Sequence, residues 1–271
     1  MKKINAFPMN KLFIVGILFL SLLTFERSYA QKTMRTLPNK SFRQGEMLRF
    51  RVHYGFIDAG EVVMEVKNET KAFGSRNAYH IVGTGKSTGT VEWFFKIRDL
   101  YETYIDQDAI VPLLFVRRVN EGGYKINENV IFNQFQNTAT DEKGVHTVPD
   151  NVQDLLSSYY YSRCLDVTDI KPGEILPIQA FLDNEVVSFS LKFIGREVLD
   201  TRVGKVKCIL FRPQIQQGRV FKDQEGMTVW ISEDDNHIPV RVEAKLLVGS
   251  IKMDILEFKG LANPMTSLLP R

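Results

Sequence analysis

The run of residues best suited to chemistry is 80–87, HIVGTGKS, which resembles a phosphate-binding loop. Such a loop cradles phosphates with backbone amides, and its lysine and serine contact the phosphates and a metal ion. Here His80 replaces the first glycine, and no long helix follows to point its amino end at a phosphate. We therefore predict no nucleotide site, and interpret Gly83 and Gly85 as bulge or turn glycines in a strand.

The remaining titratable groups do not form a recognisable catalytic motif. No two histidines have the spacing of a metal site; they are His53, His80, His146 and His237. Ser157 and Ser158 lack the sequence of a nucleophile elbow. Two clusters of acidic residues could each form a glycosidase-like carboxylate pair or a calcium site. One is Asp99 with Glu102, and the other is Glu233 with Asp234 and Asp235. We predict a non-enzymatic protein with no cofactor and no metal, and keep a hydrolase with an acidic cleft as an alternative.

Large apolar side chains are the stronger candidate for a binding site. They are concentrated in two segments without strand periodicity and in one late strand: Trp93, Phe94, Phe95, Leu155, Tyr159, Tyr160 and Trp230. A helix packed on a curved sheet could bury them as core. It could equally leave a cavity or groove that they line for a hydrophobic ligand.

Alternation of apolar and polar residues with a period of two is the main pattern of the chain, and the strands that it predicts must position the candidate residues. Residues 45–66 alternate apolar and polar side chains on both sides of Gly55 and Gly60, which predicts a half-buried antiparallel hairpin with a kink or bulge. Similar segments recur to residue 258, with Gly, Asn or Asp at the turns. The fold class predicted is mainly β, a curved antiparallel sheet forming an open or half barrel, or a sandwich.

Two segments depart from that alternation. Residues 151–164 have helical spacing after Pro149 and predict a helix capped by Asp150 or Asn151. Residues 90–95 fit either a short helix or the beginning of the next strand. We expect one or two short helices packed on the concave face of the sheet.

The first thirty residues have the features of a secretory signal. Lys2 and Lys3 precede an apolar run at 12–25, and Ser28-Tyr29-Ala30 predicts cleavage after Ala30. The run is shorter than the roughly 20 residues that span a bilayer, so no transmembrane anchor is expected after cleavage. The predicted organisation is a signal peptide at 1–30, a flexible leader at 31–43, a β domain at 44–260 and a C-terminal tail at 261–271.

Charge and cysteine content constrain the class of protein further. Removing residues 1–30 leaves 31 basic and 31 acidic residues, without the positive charge of a nucleic-acid binder. Export permits a disulfide between Cys164 and Cys208, the only two cysteines. Two separate buried thiols are the alternative.

Four motifs in order resemble the DUF3108 family of bacterial exported proteins over about residues 41–260. They are Gly45-Glu46-x-Leu48 with Gly60, Asp99-x-Tyr101-Glu102-x-x-Ile105-Asp106, residues 149–163 with DLLSSYYYSR, and Val229-Trp230-Ile231-Ser232 followed by Ile238-Pro239-Val240-Arg241. The resemblance implies a Gram-negative cell-envelope protein and supplies no catalytic residues. The architecture is also similar, more loosely, to the half-barrel carriers of the LolA and LolB type, which hold acyl chains.

We therefore expect a periplasmic, non-enzymatic protein that binds a hydrophobic, lipid-like ligand or an envelope protein. It should bind neither nucleic acid nor nucleotide. A structural or assembly factor that binds proteins through an exposed sheet edge is the alternative. An outer-membrane barrel also fits the alternation. The charged strand faces of this chain and the predicted helix at 151–164 argue against such a barrel.

Overall fold

The structure is a computed structural model that describes residues 32–215 and 226–270. The predicted signal peptide lies outside these residues. Within them, fourteen strands form one sheet: β1 Met47–Tyr54, β2 Ile57–Phe73, β3 Arg76–Ser87, β4 Arg98–Asp106, β5 Pro112–Glu121, β6 Tyr124–Asn133, β7 Thr138–Asp141, β8 Gly144–Thr147, β9 Ile175–Leu182, β10 Glu185–Thr201, β11 Gly204–Ile215, β12 Met227–Ser232, β13 Pro239–Lys245 and β14 Ser250–Lys259. The described residues also contain two helices, α1 (Val91–Phe94) and α2 (Leu155–Arg163).

The sheet is antiparallel throughout and has the order β8-β7-β6-β5-β4-β3-β2-β1-β14-β13-β12-β11-β10-β9. Strands that follow one another in sequence are paired, except β8 and β9, and β1 pairs with β14 to join the two halves of the chain. The order ends at β8 and at β9, so the sheet is not closed into a barrel. The predicted fold class, a mainly β protein with an open antiparallel sheet, is confirmed.

The sheet curls until its two edges approach each other. The Arg117 guanidinium of β5 lies 2.6 Å from the Asp183 carboxylate, just after β9. The ring of His146 in β8 lies 5.1 Å from that of Phe181 in β9. Gln153, which precedes α2, pairs with β9 by accepting a 2.8 Å hydrogen bond from the Phe181 amide. The curled sheet thus forms a concave face on which α2 lies.

Helix α2 is held on this face by its own capping residue. The Asp154 carboxylate accepts hydrogen bonds from the Ser157 amide at 2.7 Å and from the Thr103 hydroxyl of β4 at 2.6 Å. A Cβ on Gly83 of β3 would lie in ordinary van der Waals contact with Leu156, at 3.5 Å, so α2 packs directly over this part of the sheet. The predicted start of this helix, at residue 151, and its predicted cap, Asp150 or Asn151, are wrong. Asn151 has a φ of 57°, so the helix begins only at Leu155.

The segments before and after the sheet pack against it. Phe42 is buried and its ring lies 4.8 Å from that of Tyr160, while Arg35 donates to the Ala109 carbonyl at 2.9 Å. The expectation of a flexible leader therefore fails from Arg35 onwards, because this segment covers one end of the core. In the C-terminal segment, the Leu269 amide donates to the Lys205 carbonyl at 2.8 Å.

Candidate hydrophobic ligand site

A cavity of about 400 Å³ lies between α2 and the second half of the sheet. Its sheet wall consists of aliphatic, methionine and phenylalanine side chains together with one proline: Met64, Leu176, Ile178, Phe189, Leu191, Phe211, Met227, Val229, Ile231, Pro239, Val242 and Met253. Helix α2 contributes Leu155, Ser158, Tyr159, Ser162 and Arg163, and Val167 and His237 complete the lining. This volume falls within the range of small-molecule sites, which are mostly apolar with a few polar groups.

The lining follows directly from strand alternation. In β10, Phe189 and Leu191 face the cavity, and in β12 Val229 and Ile231 do so. The intervening Trp230 points to the opposite face of β12, where its indole donates a 2.5 Å hydrogen bond to Glu197. Because successive side chains of a strand alternate between faces, one wall of the cavity collects residues from a single face of six adjacent strands.

One tyrosine hydroxyl of α2, that of Tyr159, is buried beside this cavity. Tyr159 Oη is buried and forms no hydrogen bond of acceptable geometry within the described residues. Burial raises the pKa of Tyr159 above its ordinary value, so the hydroxyl remains a proton donor. The oxygen has no exposed surface in the cavity, and the neighbouring Arg163 charge opposes the rise in the Tyr159 pKa.

Arg163 also borders the cavity, but most of its donors are engaged within the protein. Its two terminal nitrogens contact the Glu46 carboxylate at 2.5 and 2.7 Å, and one of them also donates to the Ser41 carbonyl at 2.8 Å. Its Nε donates to the Asn236 carbonyl at 2.9 Å. These contacts use four of the five guanidinium N–H groups and anchor α2, and one N–H of Nη1 remains.

The structure does not bring the seven predicted apolar residues together. Leu155 and Tyr159 line the cavity, and Tyr160 is buried in the core beside it. Trp230 lies on the other face of the sheet, as described above. Trp93 and Phe94 are 85% and 88% exposed on α1, while Phe95 packs over Gly122 in the β5–β6 turn. Helix α1 lies at the ends of β3 and β4, away from the cavity, and has no buried residue.

The residues that sequence analysis missed belong to the late strands. Leu191, Val229 and Met253 contribute much of the apolar wall. Their alternation marked them as facing one side of a sheet, but nothing local showed which side faced a helix. The alternation thus identified which residues share a face, but it did not show that this face lines a cavity.

The candidate catalytic groups are dispersed. His80 contacts Glu69 at 2.7 Å and Glu102 at 3.0 Å, and its ring stacks on Tyr104. Glu233 pairs with Arg196, whereas Asp234 accepts hydrogen bonds from Ser232, Asn236 and Ser267. Asp99 accepts a 3.0 Å hydrogen bond from the Asn120 amide. Across residues 32–215 and 226–270, no three His, Cys, Asp or Glu side chains are grouped so that they could hold a metal ion.

The phosphate-loop resemblance has no counterpart in the structure. Gly83 and Gly85 lie inside β3, as the sequence predicted. Lys86 forms an ion pair with Glu61 across the neighbouring strand at 3.1 Å. These residues form a regular ladder between β2 and β4, without the turn that a phosphate-binding loop requires.

Cys164 and Cys208 are both free thiols, so the bridge that export would permit is not formed. The Cys164 thiol donates to the Tyr160 carbonyl at 3.5 Å, and the Cys208 thiol to the Val206 carbonyl at 3.4 Å. Burial raises the pKa of each thiol to about 12. Cys208 therefore behaves as a small buried apolar group, and Cys164 as a partly buried one.

The part of the chain that the structure describes contains no helix with the length and hydrophobicity to cross a bilayer.

Comparison with known proteins identifies the family. The model of a family described as "Protein of unknown function (DUF3108)" matches residues 49–256, more than half of the chain, so the chain belongs to this family. No curated protein matches it significantly.

The chain also resembles solved structures. A β-barrel-like protein of domain of unknown function DUF1849 from Brucella abortus is 9% identical, with a TM-score of 0.53 over 83% of this chain and 98% of that one. A Parabacteroides distasonis protein provisionally classed as a lipoprotein is 11% identical, covers 84% of this chain and 100% of its own, and has a TM-score of 0.38. A score at that level does not establish a shared fold. The similarity to the Brucella protein shows the fold alone.

Proposed function

We propose that this DUF3108 protein binds a hydrophobic, lipid-like ligand in the cavity between α2 and strands β9–β14, and that it is an exported, non-enzymatic protein of the cell envelope. The observation that carries the proposal is the cavity itself, whose sheet wall is wholly apolar. Apolar surface exposed to water in a cavity is unfavourable, and an apolar ligand would remove it from water.

The polar groups at the helix side favour a ligand with one polar end. Ser158 and Ser162 of α2 are both part of the cavity lining. The hydroxyls of Ser158 and Ser162 donate to backbone carbonyls of α2 at 2.8 and 2.7 Å, so each still has lone pairs to accept a hydrogen bond. A fatty acid or another single-chain lipid would place its chain along the sheet and its polar end near Ser158 and Ser162.

A protein-binding sheet edge, the alternative expected from the sequence, receives less support. Edge strand β8 has only four residues. Edge strand β9 is partly paired with Gln153 and contains Pro177, which cannot donate to an added strand. Short, covered or proline-containing edges are the usual devices against strand addition.

Native mass spectrometry of the protein purified from its own host tests the proposal. We expect a bound mass that is released by organic solvent and identified as a lipid in the extract. A uniformly apo mass, with no lipid in the extract, would contradict tight carriage of a lipid.

Export has its own test, independent of the ligand. The sequence of residues 1–30 supports cleavage after Ala30. Cell fractionation with intact-mass measurement should find a chain that begins at Gln31 in the periplasmic fraction. A full-length chain in the cytoplasm would contradict export and leave the cavity proposal standing.

A further inference from the structure

Four hairpin connections at one end of the sheet carry large apolar side chains into solvent. They are consecutive in the sheet: the β13–β14, β1–β2, β3–β4 and β5–β6 connections. Phe56 and Leu247 are fully exposed, and Trp93 and Phe94 nearly so. We call this surface the apolar rim; it comprises Tyr54, Phe56, Ile57, Trp93, Phe94, Phe95, Tyr124, Leu246, Leu247 and Val248.

Contacts between the connections make the rim one surface. The Tyr54 hydroxyl donates to the Val248 carbonyl at 2.9 Å, which joins the β1–β2 and β13–β14 turns. The Thr88 amide donates to the Ala59 carbonyl at 3.1 Å, which joins the α1 segment to β2. Phe95 packs over Gly122, and the Gly122 amide donates to the Lys96 carbonyl at 2.9 Å. The rim is therefore continuous from β14 to β6.

The opposite end of the same sheet has a different composition. Its turns consist largely of polar and charged residues: Gly74-Ser75, Asp106-Gln107-Asp108, Thr201-Arg202 and Glu233-Asp234-Asp235. Several are fixed by internal hydrogen bonds, such as the 2.5 Å bond that the Ser267 hydroxyl donates to Asp234. Single exposed apolar residues are ordinary on proteins, but a contiguous group of them marks an interaction surface. The asymmetry between the two ends assigns that surface to the rim.

The charges beside the rim indicate what it meets. Lys96, Lys125 and Lys245 are exposed at three of the four connections, and none of them forms an ion pair with another described residue. Of the acids beside the rim, Asp58 and Glu92 are engaged with Arg51 and Arg98, whereas burial and the neighbouring Asp99 raise the pKa of Glu121. A band of aromatic and leucine side chains bordered by unpaired lysines is complementary to a bilayer whose headgroups are anionic.

We propose that the apolar rim docks on the surface of an anionic lipid bilayer. Phe56, Trp93, Phe94 and Leu247 enter the interface between headgroups and acyl chains, and the lysines contact the headgroups. The separate, protruding tips suit a fluid lipid surface, which needs no preformed pockets. A protein partner would need a matching pocket for each tip. This inference does not rest on a ligand in the cavity, although Met227, Val242 and Met253 bring the cavity close to the same strand ends.

Trp93 provides a direct reporter, because the chain has only one other tryptophan, Trp230. The chain without residues 1–30, carrying Trp230→Phe, is mixed with vesicles of phosphatidylglycerol and phosphatidylethanolamine. We expect the emission of Trp93 to move to shorter wavelength and to be quenched by lipids brominated on their acyl chains. Vesicles of phosphatidylcholine alone should bind more weakly, because they lack anionic headgroups.

Vesicle flotation with rim variants completes the test. The variant Phe56→Ser/Trp93→Ser/Leu247→Ser should lose roughly tenfold or more of its partition into anionic vesicles. Phe135→Ser, a half-exposed phenylalanine in the β6–β7 turn at the opposite end, is the matched control and should bind normally. Circular dichroism checks that both variants are folded.

Two results would overturn the proposal. One is an unchanged Trp93 spectrum together with no flotation of the folded wild-type chain. The other is vesicle binding that the triple rim variant retains in full. A dimer that the rim variant abolishes, found without vesicle binding, would assign the rim to a second copy of the chain instead.

Discussion

Arg163 at the end of α2 and Glu46 just before β1 form a two-pronged ion pair with both side chains buried, at nitrogen–oxygen distances of 2.5 and 2.7 Å. The two residues are separated by 117 positions in sequence. Their pair fixes the helix that covers the cavity to the strand that joins the two halves of the sheet. The geometry of the proposed site therefore depends on a contact outside its apolar wall.

Replacing Arg163 by leucine should destabilise the protein by about 3–5 kcal/mol, because it leaves the Glu46 carboxylate buried without a partner. The double variant Glu46→Leu/Arg163→Leu should recover part of that loss. Urea unfolding followed by circular dichroism measures both. Arg98→Leu, which removes an exposed ion pair with Glu92, is the control and should cost about 1 kcal/mol or less. Equal effects at Arg163 and Arg98 would contradict the assigned role.

Asp154 predicts a particular pH dependence. Burial raises the pKa of this helix-capping carboxyl to about 6, so the folded state holds the proton more tightly than the unfolded state does. Its contribution to stability is complete below the ordinary aspartate pKa and is lost as the pH rises through about 6. The change amounts to at most about 3 kcal/mol for a shift of this size.

The test compares wild type with Asp154→Asn, which can still cap the helix. Relative to wild type, the variant should gain in free energy of unfolding between pH 4 and pH 7, since it lacks the titrating group. Urea unfolding at unit pH steps gives the difference directly. A difference that stays constant over this range, or that moves in the opposite direction, would count against the raised pKa.

Gly60 and Gly195 are both strand glycines, but they differ in the space around them, so their alanine variants can be compared. A Cβ on Gly60 would lie 2.8 Å from the Lys86 carbonyl oxygen, a backbone atom that cannot move without disturbing the β2–β3 ladder. A Cβ on Gly195 would meet nothing within 4 Å. Gly60→Ala should therefore lower the free energy of unfolding by about 1–3 kcal/mol, whereas Gly195→Ala should change it by about 0.5 kcal/mol or less. Equal effects in thermal unfolding would contradict the close approach at Gly60.

The two cysteines should remain reduced and unreactive in the folded protein. Burial raises the pKa of both thiols, so little thiolate is present at pH 8. We expect slow labelling by a maleimide in buffer and rapid labelling of two thiols in denaturant. A mass two units lower before reduction, with no labelling after unfolding, would instead show a disulfide between Cys164 and Cys208.

Sequence alone predicted much of this fold because strand alternation is a local signal. The hairpin of β1 and β2 and the open antiparallel sheet were predicted from this alternation. The same rule could have placed Trp230 on the other face of its strand from Val229 and Ile231. The beginning of α2 could not be predicted in this way. It depends on the pairing of Gln153 with β9, about 28 residues further along the chain.

The site was harder to predict than the fold because it is created by curvature. The contacts that bring the sheet edges together, between Arg117 and Asp183 and between His146 and Phe181, join residues with no shared local pattern. The aromatic residues of α1 were predicted to line the ligand site. They are exposed instead, and they belong to the rim. The sequence showed which side chains are able to bind apolar groups. Where each of them lies depends on the order and curvature of the strands.

The most direct test of the account is to fill the cavity. Val229→Phe adds volume at the centre of the apolar wall, while Val198→Phe adds the same volume at an exposed position of β10 outside it. The probe is N-phenyl-1-naphthylamine, titrated by fluorescence into the solvent-extracted chain lacking residues 1–30. The triple rim variant serves as a further control, since the rim could also take up the dye.

We predict that wild type, Val198→Phe and the rim variant bind the probe with similar affinity, and that Val229→Phe binds it roughly tenfold or more weakly while remaining folded. Binding by Val229→Phe equal to that of wild type would contradict a ligand site between α2 and the sheet.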